Sequence, residues 1–144
     1  VKVLHGAMTQ NEIAQIYKHK NIKCFVSATR GEGYGLPLVE AAASGLPVIA
    51  TGWSGHKDFL PDGKYLDVEY YLKEISKSKI DNRIFVEGTR WAEPSEVDFK
   101  NKLREMKDNY ELHLGTARKL SKDVKKKFSK KAVLKMYDKF YEKL

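Results

Sequence analysis

Between Lys23 and Thr51 the chain reads KCFVSA, TRGEGYG, LPLVEAAASG and LPVIAT. An apolar run meets a glycine-rich loop, then a helical run closed by Gly45, then a second apolar run of strand length. Two short strands joined through one helix cannot form a hairpin; they must lie parallel, because a parallel pair needs a crossover of about a dozen residues. Both strands are apolar on both sides, as strands covered from above and below must be. The chain is therefore expected to be α/β, a Rossmann-like parallel sheet with helices on both faces and right-handed crossovers.

The flanks extend the same alternation. Val1 to Leu4 reads as a further buried strand ended by His5 and Gly6. Thr9 and Glu12 form a capping-box pattern, and Ile13, Ile16 and Tyr17 mark one face of the helix it starts, which runs out near Lys20. A short helical piece, HKDFL, follows the turn GWSG, and Pro61-Asp62-Gly63 signals another turn. Tyr65–Val68 and Arg83–Val86 are expected as short strands around a polar excursion. Pro94-Ser95 should open a helix through about Asn109, with Val97, Phe99, Leu103 and Met106 as its apolar positions. From Thr116 onwards the chain is helical with a break near Ser129. Leu120, Val124 and Phe128 form one stripe, and Val133, Met136, Tyr137, Phe140 and Leu144 a second. Residues 1–115 are thus expected to form the body of a single domain, with 116–144 a basic C-terminal helix packed on it.

The 144 residues suffice for one sizeable core, and the net charge of +8 has one source. Arg118 to Lys143 holds eleven Lys and Arg against three acids, a surplus equal to that of the whole chain. The body is neutral, so the charge describes one surface. A solvated helix face is its plainest reading. Attraction to an anionic membrane surface comes second. Nucleic acid comes last and is not expected, since no base-reading motif accompanies the lysines. No apolar run is long enough to span a bilayer. The opening VKVLHG lacks an initiator Met, which suggests a trimmed or excised piece, and lacks the pattern of a signal peptide, which with a single cysteine leads to a cytoplasmic expectation. Cys24, the one cysteine, lies inside CFVSA and reads as a buried thiol.

In an open parallel sheet, ligands bind at the carboxyl ends of the strands. The loop from Thr29 to Gly35 lies there. Its glycines Gly31, Gly33 and Gly35 let backbone approach a ligand closely. The amides around Gly35 and Leu36 open a helix and lack intrahelical partners, while Pro37 needs no donor in that first turn. Free amides at a helix N-terminus make an anion site, and a diphosphate is its natural occupant. Glu32 would repel phosphate but can accept from sugar hydroxyls. Glu40, one turn into the helix, can accept from the hydroxyls of a ribose. The loop pattern alone also fits an ordinary strand-to-helix turn.

The stretch SATRGEGYGLPLVEAAASGLPVIAT closely resembles the donor-site signature of the retaining group 1 glycosyltransferases, typified by sucrose and glycogen synthases and by lipopolysaccharide mannosyl- and glucosyltransferases. The hallmark is a Glu, seven residues and a second Glu, filled here by Glu32, Glu40 and the intervening Gly33, Tyr34, Gly35, Leu36 and Pro37. The resemblance implies the C-terminal, donor-binding lobe of a GT-B fold, serving polysaccharide biosynthesis. It makes Glu32 the catalytic residue on the sugar hydroxyls, sets the 33–37 run on the diphosphate and sugar, and gives Glu40 the ribose. The donor would be a UDP- or GDP-hexose, acting as substrate, with no cofactor and no metal. A hexose would pass to an acceptor hydroxyl with retention. An acceptor lobe or partner chain would complete the site, and the chain alone should be inactive or nearly so. The family pattern carries Gly-Gly and then Glu after the PVIAT strand; this chain has Ser54-Gly55 and Asp58 instead.

Arg30 and His5 are further donor-site candidates, Arg30 facing phosphate and His5 lining the base. Their plainer readings are a solvated arginine and an incidental loop histidine. His56 reads as incidental, His19 and His113 as surface residues, and Trp53 and Trp91 as packing. Two other functions stay open: a non-catalytic sugar-nucleotide-binding module, and a basic interaction domain that kept the fold without the donor site.

Overall fold

The computed structural model describes residues 2–143. Three strands, β1 (Phe25–Ser27), β2 (Val48–Thr51) and β3 (Leu66–Val68), form a parallel sheet in that order. Phe25 lies opposite Val48, and Ile49 opposite Leu66. Helix α1 (Gln10–Tyr17) precedes β1, and α2 (Leu36–Ser44) crosses from β1 to β2. After β3 the chain makes a second sheet, an antiparallel pair of β4 (Tyr70–Glu74) and β5 (Arg90–Pro94). Helices α3 (Glu96–Asp108), α4 (Tyr110–Lys127) and α5 (Lys130–Tyr141) follow.

Alternation along β2 explains why helices cover both faces. Val48 and Ala50 pack with Leu38, Ala41 and Ala42 of α2 and with Leu120 and Val124 of α4. Ile49 points the other way, to Leu66, Val68 and Met106 of α3, with Phe99, Tyr110 and Cys24 at the margin. All four β2 residues are buried, as a central parallel strand requires. Burial pushes the Cys24 thiol pKa up, which keeps it protonated and unreactive.

Local signals resolve as the chemistry dictates. The Thr9–Glu12 capping box forms with both reciprocal bonds. α2 ends at Gly45, which has φ +80° and returns its amide to Ala41 and Ala42. Ser95 caps α3 by accepting from the Asp98 amide, and Ser129 caps α5 after the expected break.

Four expectations are corrected. Residues 2–4 form no strand, and Val3 is 81% exposed: no described strand lies beside them, and an unpaired apolar run has nothing to add to. Val1 lies outside the described residues. Arg83–Val86 is a bend rather than a strand, because the Asp81 carboxylate accepts from the amides of Arg83, Ile84 and Phe85 and curls the chain around itself. The strands of that region are β4 and β5 instead. The C-terminal helical run starts at Tyr110, not Thr116, with Ala117, Leu120 and Val124 buried. In α5, no residue is buried: Met136, Tyr137 and Phe140 face outwards, and Leu144 lies outside the described residues. Packing on the body is thus the work of α4.

Candidate functional site

The glycine-rich loop lies at the carboxyl end of β1 and opens into α2. Gly35, its last residue, has φ +87°, a left-handed conformation that glycine adopts without strain. A Cβ there would stand 3.1 Å from Leu38 and 3.3 Å from the His56 Cβ, so the position is closed to side chains on two grounds. The carbonyl of Gly35 accepts from Leu38 and Val39. The amides of Tyr34, Gly35 and Leu36 donate to no acceptor among the described residues, and Gly35 supplies no side-chain cap. A set of free donors therefore lies at the positive end of a helix.

A second loop, between β2 and residue 59, holds the first in place. The Ser54 hydroxyl accepts from the Glu32 amide at 2.8 Å and donates to the Glu32 carbonyl at 2.6 Å. The Gly55 amide donates to the same carbonyl at 3.1 Å. Gly55 and Gly33 approach so closely that a Cβ on Gly55 would sit 2.1 Å from the Gly33 oxygen. Ser54 has φ 99° and ψ −172°, a region that side chains avoid. The residue that replaces the first Gly of the family pattern thus occupies a glycine conformation, and its two bonds to Glu32 offset the strain.

These contacts fix the backbone of Glu32 and leave its half-buried carboxylate with no hydrogen-bond or ion-pair partner among the described residues. Glu40 lies half-buried in α2, where the Tyr17 hydroxyl donates to it at 3.3 Å. Burial, and then the Glu40 charge, push the Tyr17 pKa up and keep that donor protonated. Tyr34 and Leu36 are exposed at the mouth, with the Tyr34 ring 5.2 Å from Phe59.

Arg30 is engaged elsewhere. Its guanidinium makes two 2.7 Å bonds to Glu93 of β5 and lies 4.6 Å from the Trp91 ring centre. The paired carboxylate raises the Arg30 pKa, and the same bonds hold Glu93 below the usual carboxylate range. Lys79 lies 4.8 Å from the same Trp91 ring, so two cations lie against Trp91. His5 is exposed in the irregular segment before α1 rather than at the end of a strand.

The histidine that matters to this architecture is His56. It is fully buried beneath the α2 N-terminus, with Nε2 2.8 Å from the Thr51 carbonyl and Nδ1 lacking a partner among the described residues. Burial lowers its pKa below 6.5, so the ring is neutral and Nε2 donates to the carbonyl. His113 is also less exposed than its sequence setting suggests, with its side chain 3.5 Å from Glu105. No three His, Cys, Asp or Glu side chains among the described residues gather closely enough to share a metal ion.

Of the residues that hold the site, Ser54, Gly55 and Glu93 had no assigned role in sequence. Only the Ser54-Gly55 departure from Gly-Gly marked the place. The clamp between Arg30 and Glu93 spans 63 positions and has no local signal.

Comparison with known proteins is consistent with this geometry. The family model described as glycosyl transferases group 1 matches residues 1–127. The GtfA subunit of a UDP-N-acetylglucosamine–peptide N-acetylglucosaminyltransferase from Streptococcus gordonii is 35% identical over 74 residues. That alignment covers 51% of this chain and 13% of the length of the relative. No solved structure gives a significant match.

Proposed function

The chain belongs to the group 1 glycosyltransferase family, and from that premise we propose that it binds the diphosphate of a nucleotide sugar at the N-terminus of α2 and takes part in hexosyl transfer with retention. The observation that carries this reading is the row of unpartnered amides at Tyr34, Gly35 and Leu36, at the carboxyl end of a parallel sheet.

In this reading the amides hold the diphosphate, Glu32 accepts from hydroxyls of the sugar, and Glu40 accepts from the ribose, with Pro37 and Leu36 shaping the helix start. The bond from the anomeric carbon to the diphosphate oxygen breaks, and the nucleoside diphosphate keeps the electron pair. A bond to the acceptor oxygen forms, and the acceptor proton passes to the departing diphosphate. Amides already aimed at the phosphate stabilise the charge that grows there without reorganising. Neither a metal nor a cofactor enters this scheme. With Arg30 held by Glu93, positive charge for the phosphates comes from the helix and from groups other than this arginine.

Titration of the purified chain with UDP-glucose and GDP-mannose tests the proposal. Binding of either that is lost in Glu40→Ala is the expected result. No binding of either, or binding indifferent to Glu40→Ala and Glu32→Ala alike, would leave the alternative of a basic interaction module.

No helix among the described residues is long and apolar enough to cross a membrane. The lysines and outward apolar residues of α5 suit a surface-bound enzyme instead. Sedimentation with vesicles containing phosphatidylglycerol, but not with zwitterionic vesicles, is the outcome that reading requires.

A further inference from the structure

A cavity of about 390 Å³ lies at the end of the parallel sheet opposite the glycine-rich loop. It opens beneath the strand starts, with Pro47 and Val48 at the head of β2 and Lys64 to Asp67 at the head of β3. The path of α4 explains why a space exists there. Tyr110 packs at the margin of the Ile49–Met106 cluster on one face of the sheet, whereas Leu120 and Val124 belong to the cluster on the other face. The helix therefore passes under the amino ends of the strands and leaves a wedge between itself, the end of α3 and the sheet. The volume falls in the range of about 300 to 1,000 Å³ usual for small-ligand sites.

The lining joins an apolar floor to polar groups of both signs. Val48, Leu66 and Met106 are buried and supply the floor. Glu105 comes from α3, and His113 and Thr116 come from α4. The His113 Nε2 atom is buried 3.5 Å from a Glu105 oxygen, yet it has no hydrogen-bond partner among the described residues. An orphaned buried nitrogen is costly, so a polar group brought to this wall would be stabilised there. Lys102 lies 3.8 Å from the other Glu105 oxygen. On the strand side Lys64 and Asp67 are both exposed. Lys57 feels the Asp67 charge but is itself paired with Asp62. With Lys102 counted, two acids stand against two lysines, so the wedge offers both signs and no surplus of either. A free ion gains little from such a surface, whereas a ligand that carries both charges beside an apolar group matches it.

We propose that this wedge binds a small zwitterion with an apolar side group, of the chemical class of an apolar α-amino acid. Its ammonium donates to Glu105, its carboxylate meets the flexible Lys64, and its side group lies on Val48, Leu66 and Met106. The site is independent of the donor reading, because no residue of the 29–35 loop or of α2 lines it.

The test is calorimetric titration of the whole chain with leucine, methionine and phenylalanine. Isoamylamine and isocaproate, which keep the leucine side chain with only one of its two charges, are run beside them, as is glycine. At least one of the three amino acids should bind about tenfold more tightly than glycine or either singly charged compound. Glu105→Gln should weaken that amino acid about tenfold and erase its advantage over isocaproate. Lys64→Gln should erase its advantage over isoamylamine. Both side chains are at least partly exposed, so urea melts of the two variants without ligand should match the parent and show that folding is intact. The proposal is overturned if none of the three amino acids binds, if a singly charged compound binds as tightly as the best of them, or if either substitution leaves binding unchanged.

Discussion

The parallel sheet and the hairpin beside it are built on opposite terms. Every residue of β2 is buried, and its side chains are gripped from both faces by helices. Every residue of β4 is exposed, and the hairpin has no core of its own. Apart from the buried Ala92 and Ile75 and the Tyr70 ring against Trp53, its attachment consists of specific polar contacts: Arg30 to Glu93, the Ala92 amide to Arg30, the Ser95 amide to the Glu69 carbonyl, and the Glu69 amide to Asp98. The sheet holds the glycine-rich loop still, whereas the hairpin is fastened to that loop at a few points. Burial gives rigidity; sparse fastening leaves the hairpin free to differ at little cost to the fold.

The most disruptive way to break this contrast is Gly55→Ala. A Cβ that meets the backbone oxygen of Gly33 forces the two loops apart, and backbone cannot give way as a side-chain tip can. A loss of about 3 kcal/mol is expected, read from denaturant melts, together with loss of nucleotide-sugar binding. Retained binding with full stability would show that the loops are not mutually braced.

Acid should find the sheet half next. His56 has a pKa lowered mainly by burial. Below pH 6.5 the unfolded chain therefore takes up a proton that the folded chain refuses. Stability should fall as pH drops from 6.5 towards the lowered value and change little above it. His56→Gln should flatten that slope, and an unchanged slope would place the acid sensitivity elsewhere.

Glu93→Ala sharpens the other side. It removes an ion pair whose arginine is half-exposed, so after screening the cost should be about 1 kcal/mol or less. Amide exchange at Arg90 and Ala92 should quicken several-fold, with β2 unaffected. Equal acceleration in β2 would mean that the hairpin is integral to the core.

Ser54→Gly should do least. It relieves a strained φ, worth about 1 to 3 kcal/mol, and deletes two hydrogen bonds of about 1 kcal/mol each. Melting should barely move, while exchange at the Glu32 amide rises. A large loss of stability would show that the hydroxyl matters more than the backbone strain.

How far the sequence could be read follows the same divide. The sheet half announces itself because its signals are local: apolar runs of strand length, a capping box, glycine at the end of α2, and free amides where a loop meets a helix. The hairpin is opaque for the converse reason. β4 reads YYLKE with every residue exposed, and β5 reads RWAEP with Ala92 alone fully buried, too little to impose a pattern, and their pairing depends on residues distant in sequence. Asp81 reverses the apparent strand at Arg83–Val86 by a contact that hydrophobic periodicity does not register. Glu32, the 33–37 run and Glu40 are named in sequence by the glycine-rich strand-to-helix turn and by resemblance to a family signature. What fixes Glu32 is not, because Ser54 acts through its φ and its hydroxyl, and His56 through burial beneath another element.

One detail of α2 has a practical consequence. Its N-cap is a glycine with no side chain to receive the first-turn amides, so the helix begins with a deficit that other helices of this chain cover with Thr9, Ser95 or Ser129. An anion lodged there would supply the missing acceptor and be drawn into the folding equilibrium itself. Heat resistance then becomes a gauge of occupancy: a thermal-shift screen of phosphate-bearing compounds can rank them without any enzymatic assay.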